Sequence, residues 1–152
     1  MEIYYLWERY ALFFGHRNVY GNIDQELEKQ VEKLIIQENI DTFWVGGYGE
    51  FDKLASRTVR KMQEKYPAIR LILIIAYAGQ LHRFGDEFPF DGFDYPPEAE
   101  NAPQKFAISA RNHYMAENCD MVISHIIHDY GGAYDAVRIA KSRDKIIINL
   151  VK

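Results

Sequence analysis

The run from Leu71 to Ala78, LILIIAYA, is the longest apolar stretch of the chain. It constrains the fold more than any other feature. A strand with one wet face alternates apolar and polar residues; this one does not alternate, so both its faces are covered. Such a strand, read here as Arg70 to Tyr77, belongs in the middle of a parallel sheet. The run is also far too short to span a bilayer.

Shorter runs repeat the theme. Tyr10 to Phe14 (YALFF) stops at Gly15, Thr42 to Val45 (TFWV) stops at Gly46-Gly47, and strands are expected again over Met121 to Ile127 and Lys145 to Leu150. Between them lie amphipathic stretches. Leu27, Val31, Leu34 and Ile35 form one stripe, with Asn22 or Asp24 available as cap. Phe51, Leu54, Ala55, Thr58, Val59 and Met62 form another, ended by Pro67. A third helix is expected from about Gln104 to Glu117, and a fourth opens at Gly131-Gly132 with Ala133, Ala136, Val137 and Ala140 inward. Strands alternating with helices require right-handed crossovers and helices on both faces. The expected fold is therefore α/β: a single Rossmann-like three-layer domain over residues 1–152, with a mainly parallel sheet of about five strands.

Residues 78–103 break the rhythm. They hold four of the five prolines and many acids, as expected of a long lid or interface loop. Aromatics make up 14% of the chain, an excess that points to a pocket or a subunit interface. Homo-oligomer formation is expected. The net charge of −4 disfavours nucleic acid as the main partner, since phosphate contacts call for a basic face. One cysteine, Cys119, excludes an internal disulfide and is expected to be buried. The start, MEIYYLWERY, lacks a basic region followed by a long apolar one, so no signal peptide is read and a cytoplasmic place is expected.

In a sheet of this kind ligands bind beyond the carboxyl ends of the strands, where strand order reverses. The residues there are Gly15-His16-Arg17-Asn18, then Gly46-Gly47-Tyr48-Gly49-Glu50-Phe51-Asp52, then Ala76-Tyr77, and last His125, His128, Asp129, Tyr130, Gly131 and Gly132. Two glycine turns open helices, where backbone N–H groups can meet an anion. Arg17 is the natural phosphate or carboxylate partner, or else a surface arginine paired with the acidic 78–103 segment. His16 either hydrogen-bonds a ligand or caps its turn. Glu50 and Asp52 suit sugar hydroxyls, or simply favour the helix N-terminus. Asp135 carries the same pair of readings. Arg111 and Asn112, inside a helix, read by themselves as solvent-facing. No metal and no cofactor is expected: alternation along an emerging strand does not fix His125, His128 and Asp129 as ligands.

Taken in order, FFGHR, VGGYGEFD, FDGFDYPPEAENAPQKFAISARNHYMAENCDMVISHI and GGAYDAVRIAKSRDKIIINL resemble the YpsA-like branch of the SLOG superfamily, which also takes in DprA-type and lonely-guy-type proteins. The resemblance covers roughly residues 10–150; residues 1–9 stand before it as an N-terminal extension. It implies a site between the first strand and the Met121 strand that binds a nucleotide or nucleotide-derived signal. It implies as ligand positions Gly15, His16, Arg17, Gly46, Gly47, Gly49, Asp52, Arg111, Asn112, Gly131, Gly132 and Asp135, which moves Arg111 and Asn112 into the pocket. Lonely-guy enzymes cleave the N-glycosidic bond with an Arg and the Glu of a PGGxGTxxE turn. Here that turn reads YGGAYDAVR, with Asp135 at the Thr position and Arg138 at the Glu position. The expected function is thus a sensor or sequestering module for a nucleotide-derived ligand. The alternative is a nucleoside-phosphate N-glycoside hydrolase or transferase, with Asp135, Arg111 and Glu50 as catalytic candidates.

Overall fold

The apolar runs become strands, and the computed structural model, which describes residues 9–151, adds one more. The expected extension over residues 1–9 lies outside the described residues except for Arg9. In chain order the elements are β1 (Tyr10–Gly15), α1 (Asp24–Gln37), β2 (Thr42–Val45), α2 (Gly49–Gln63), β3 (Arg70–Ile74), β4 (Gly92–Asp94), α3 (Pro97–Glu100), α4 (Ala107–Asn118), β5 (Met121–His125), α5 (Gly132–Ser142) and β6 (Ile146–Asn149). All strands are parallel, in the order β4-β3-β2-β1-β5-β6. The fold is a three-layer α/β sheet of Rossmann type. Among the described residues no helix is long and apolar enough to cross a membrane.

Alternation within the central strands splits the core in two. Phe13, Phe43, Leu71 and Leu73 face α1 and α2, packing on Leu27, Val31, Phe51, Ala55 and Val59. Leu12, Phe14, Trp44, Ile72 and Ile74 face the other layer, against Met115, Ala116, Ala136 and Ala140 of α4 and α5. That is why β3 shows no alternation in sequence. Cys119 is fully buried, and burial pushes its thiol up to about 11, so it packs as a small apolar residue.

Residues 78–103, expected as a lid or interface loop, carry a 3-10 helix (Ala78–Phe84), the edge strand β4 and α3. One side chain ties this segment down. Asp91 accepts hydrogen bonds from the Leu71 amide (2.7 Å), Arg60 Nη1 (2.9 Å) and Gln63 Nε2 (2.7 Å). Burial works against its charge, yet these donors hold its carboxyl below the usual carboxylate range.

Strand order reverses beside β1. The chain steps outward from β1 through β2, β3 and β4, then returns through α4 to lay β5 on the opposite side of β1. The crevice of such a sheet opens at the carboxyl ends of β1 and β5.

Candidate functional site

A cavity of about 400 Å³ lies at that switch point. Of the positions singled out in the sequence, Gly15, Arg17, Gly46, Gly49, Asp52, Arg111, Asn112 and Gly132 line it. Phe13, Phe14, Tyr48, Tyr77, Ile108, Met115 and Ala133 complete the wall. A larger groove of about 660 Å³ between α1 and α2 is lined by Lys and Glu side chains that pair with one another, far from the strand ends.

Arg111 organises the cavity. As a helix residue it reads as solvent-facing, but it is only 3% exposed and belongs with Ala107 and Met115 to the buried stripe of α4. The carboxyl ends of β2 and β3 make this possible by offering carbonyls. Arg111 Nη1 donates to Gly46 O (2.8 Å) and Ile74 O (3.0 Å), and Nε donates to Asn112 Oδ1 (3.0 Å). The guanidinium leaves no room beside Gly46, where a Cβ would sit 2.9 Å from Arg111 Cζ. Burial lowers the Arg111 pKa, opposed by Asp52, Tyr48 and Tyr77. An arginine in such surroundings stays charged.

Asp52 sits on the first turn of α2, 9% exposed, and folds back on the glycine turn to accept the Tyr48 amide at 3.1 Å. Burial pushes its carboxyl up to about 6, against the pull of backbone N–H groups of Tyr48, Gly47 and Gly46 and of the Arg111 charge. The glycine turn after β2 is therefore already committed to an internal carboxyl. The turn after β5 is not: α5 starts at Gly131 (φ 99°) with no side-chain cap, and Gly132 and Ala133 line the cavity. Uncapped amides at a helix N-terminus are anion donors. Arg17 is exposed at the rim, and its guanidinium makes no hydrogen bond or ion pair with a described residue; the pairing with the 78–103 segment is not formed.

Other expected positions do different work. His16 is outside the cavity lining: its Nε2 accepts the backbone amides of Ile127 (3.1 Å) and His128 (3.0 Å), stapling the β1 turn to the β5 turn. Burial, and then the proximity of His128 and His125, lowers its pKa. The unfolded chain takes up this proton near 6.5 while the folded chain resists it. The stabilisation is complete above that pH and is lost as pH falls through the lowered value. His16→Ala is expected to speed hydrogen exchange at the Ile127 and His128 amides while the β1 and β5 amides keep their protection. Unchanged exchange at those two amides would remove the staple from the account. Glu50 accepts the Val19 amide (3.1 Å) and, like Asp135, is exposed and away from the cavity wall; Gly131 borders the wall only through its neighbour Gly132, and Gly47 faces a separate groove.

The sequence places Tyr48 and Tyr77 at strand ends but assigns them no role. Their hydroxyls meet at 2.9 Å on one wall, and burial, with the Tyr77 hydrogen bond, raises the Tyr48 pKa so that it stays neutral. Among the described residues, no three His, Cys, Asp or Glu side chains gather to hold a metal ion.

No family model matches the chain, and no curated protein matches it. Solved structures do. The X-ray structure of TM1055 matches with 14% identity and a TM-score of 0.58, over 91% of this chain and 72% of that one. DNA processing protein A of Streptococcus pneumoniae matches with 20% identity and a TM-score of 0.65, over 92% of this chain and 49% of that one. The Helicobacter pylori protein of the same name, described for its single-stranded DNA binding mode, gives 19% and 0.63, over 91% and 63%. This chain thus spans about half and just under two thirds of the two DNA processing proteins. What is shared at such identities is the fold, a Rossmann-like α/β domain.

Proposed function

We propose that the protein binds a nucleotide or nucleotide-derived ligand in the cavity at the carboxyl ends of β1 and β2, walled by α4 and the start of α5, as a sensor or sequestering module of the SLOG superfamily, within its YpsA-like branch. The observation that carries this reading is the set of groups facing one cavity of about 400 Å³: a buried Arg111, a buried Asp52, an unpaired Arg17 and the uncapped start of α5. The volume falls in the range of small-ligand sites. A phosphate is assigned to the α5 amides and Arg17, and sugar hydroxyls to Asp52. The likeness in fold to the DNA processing proteins supports nucleotide chemistry without naming a ligand. Exposed Phe93 on the edge strand β4 supports a homo-oligomer, to be checked by light scattering.

The test is a nucleotide panel read by thermal unfolding. A ligand at a hundredfold excess over its Kd adds about 2.7 kcal/mol, a shift of several degrees. Arg17→Ala is expected to abolish that shift while leaving the unliganded Tm unchanged. A shift that survives the substitution would move the phosphate elsewhere. A short single-stranded oligonucleotide belongs in the panel, because the Helicobacter pylori neighbour is described as binding one.

One observation favours the hydrolase reading. Asp52 is a cavity-lining carboxyl held near 6, whereas Glu50 and Asp135 lie outside the lining. That role passes to Asp52: release of free base, seen by chromatography and abolished in Asp52→Asn, would establish turnover.

A further inference from the structure

We propose that the ligand of this cavity is two-headed: a nucleotide whose second, phosphate-linked moiety crosses the first turn of α2 into a separate cationic groove. The proposal rests on the nucleotide reading above. The groove, about 560 Å³, lies between α2 and the 78–90 segment and is lined by Lys53, Arg57, Arg60 and Arg83 with Phe84 and Phe90. A smaller hollow joins it to the cavity, sharing Arg17, Tyr48 and Gly49 with the one and Lys53 and Arg83 with the other.

Charge pairing separates this path from an ordinary solvated helix face. Elsewhere on and just beyond α2, Lys61 and Lys65 are neutralised by Glu28 (3.0 Å) and Glu32 (2.8 Å), and within the groove Arg60 is paired with Asp91 (2.9 Å). Lys53 and Arg57 make no ion pair with a described residue, and neither does Arg17. Two acids border the path: Glu50, held by the Val19 amide, and Asp52, which lines both cavity and groove but is buried and held by the Tyr48 amide. Arg83 lies 4.4 Å above the Tyr48 ring and donates to Gly47 O at 3.3 Å, standing where cavity and groove meet. On a chain of net charge −4, unpaired cations concentrated along one continuous path focus a positive potential there. Lys53 and Arg57 are one helical turn apart, about 6 Å along the axis. That spacing suits successive charges of an extended ligand better than one phosphate. Phe84 and Phe90 supply an apolar surface for a base or other flat group.

The experiment is calorimetric titration of the full chain with AMP and with a 5′-phosphorylated adenosine dinucleotide, in wild type and in the Lys53→Ala/Arg57→Ala double variant. Both substituted side chains are exposed, so the fold is expected to persist, with an unchanged Tm as the check. The dinucleotide is expected to bind wild type at least tenfold tighter than AMP. The double variant is expected to bring it to the AMP level while AMP affinity stays the same. Equal affinity of the two probes for wild type overturns the two-headed ligand and leaves the cavity reading intact. A double variant that weakens both probes alike overturns it too, because the cations would then act through a general field. Binding of neither probe overturns both proposals.

Discussion

Arg111→Ala is expected to lower the unfolding free energy by about 3 kcal/mol, the range for removing one partner of a buried charged network. Two charge-assisted hydrogen bonds to Gly46 O and Ile74 O disappear, and Asp52 loses the cation that faces it. Gly46 O keeps Gln80 Nε2 at 2.6 Å, so the greater loss falls on Ile74 O and on Asp52. Arg111→Met separates the charge from the bulk, because a thioether chain fills most of the space without carrying a guanidinium. If the Met variant unfolds at the same urea concentration as wild type, the buried charge gives no net stability. Its presence would then be explained by the ligand, and binding should fail in the Met variant although the fold holds. A Met variant that is stable and also binds normally would remove Arg111 from the site.

This residue also shows where sequence stops being legible. The strands are local facts: YALFF, TFWV and LILIIAYA state their burial in composition, and the glycines after them mark where each strand ends. The parallel sense of the sheet follows, because strands alternating with helices are joined by right-handed crossovers; its order is read from the structure. β4 is not local. It is three residues, Gly-Phe-Asp, and its place depends on Asp91 reaching the Leu71 amide and side chains of α2. Arg111 is hidden for a related reason: a charged residue inside a helix reads as surface unless the groups it meets are known, and those are carbonyls of β2 and β3. The spacing Ala107, Arg111, Met115 was the available signal, a buried stripe with an arginine at its centre. The Tyr48–Tyr77 contact depends on β2 lying beside β3, which neither turn states alone. Gly15 reads as a ligand turn, yet a Cβ there would run into the Phe51 ring, so internal packing alone already demands a glycine.

Asp52→Asn is expected to stabilise the protein above pH 6 while impairing the site. In the unfolded chain this carboxyl ionises near 3.8, and in the folded chain near 6. Below the lower value both states are protonated and the folded state pays no penalty. Between the two, the unfolded chain releases its proton while the folded chain retains it, so the unfolded state binds fewer protons and stability falls as pH rises. By the time pH passes the folded value the loss amounts to about 3 kcal/mol. Asparagine cannot ionise, and its Oδ1 can still accept the Tyr48 amide, but it gives up the attraction to Arg111. The variant is therefore expected to gain about 1 to 3 kcal/mol at pH 7.5, and the gap between its urea midpoint and that of wild type should widen as pH rises from 4 to 6. Parallel pH profiles for the two proteins would sink this account of Asp52. A native acid that destabilises its own fold is retained for what it does in the cavity. The same variant should thus lose the nucleotide-induced Tm shift, and a variant both more stable and fully competent to bind would show that Asp52 serves neither the fold nor the ligand.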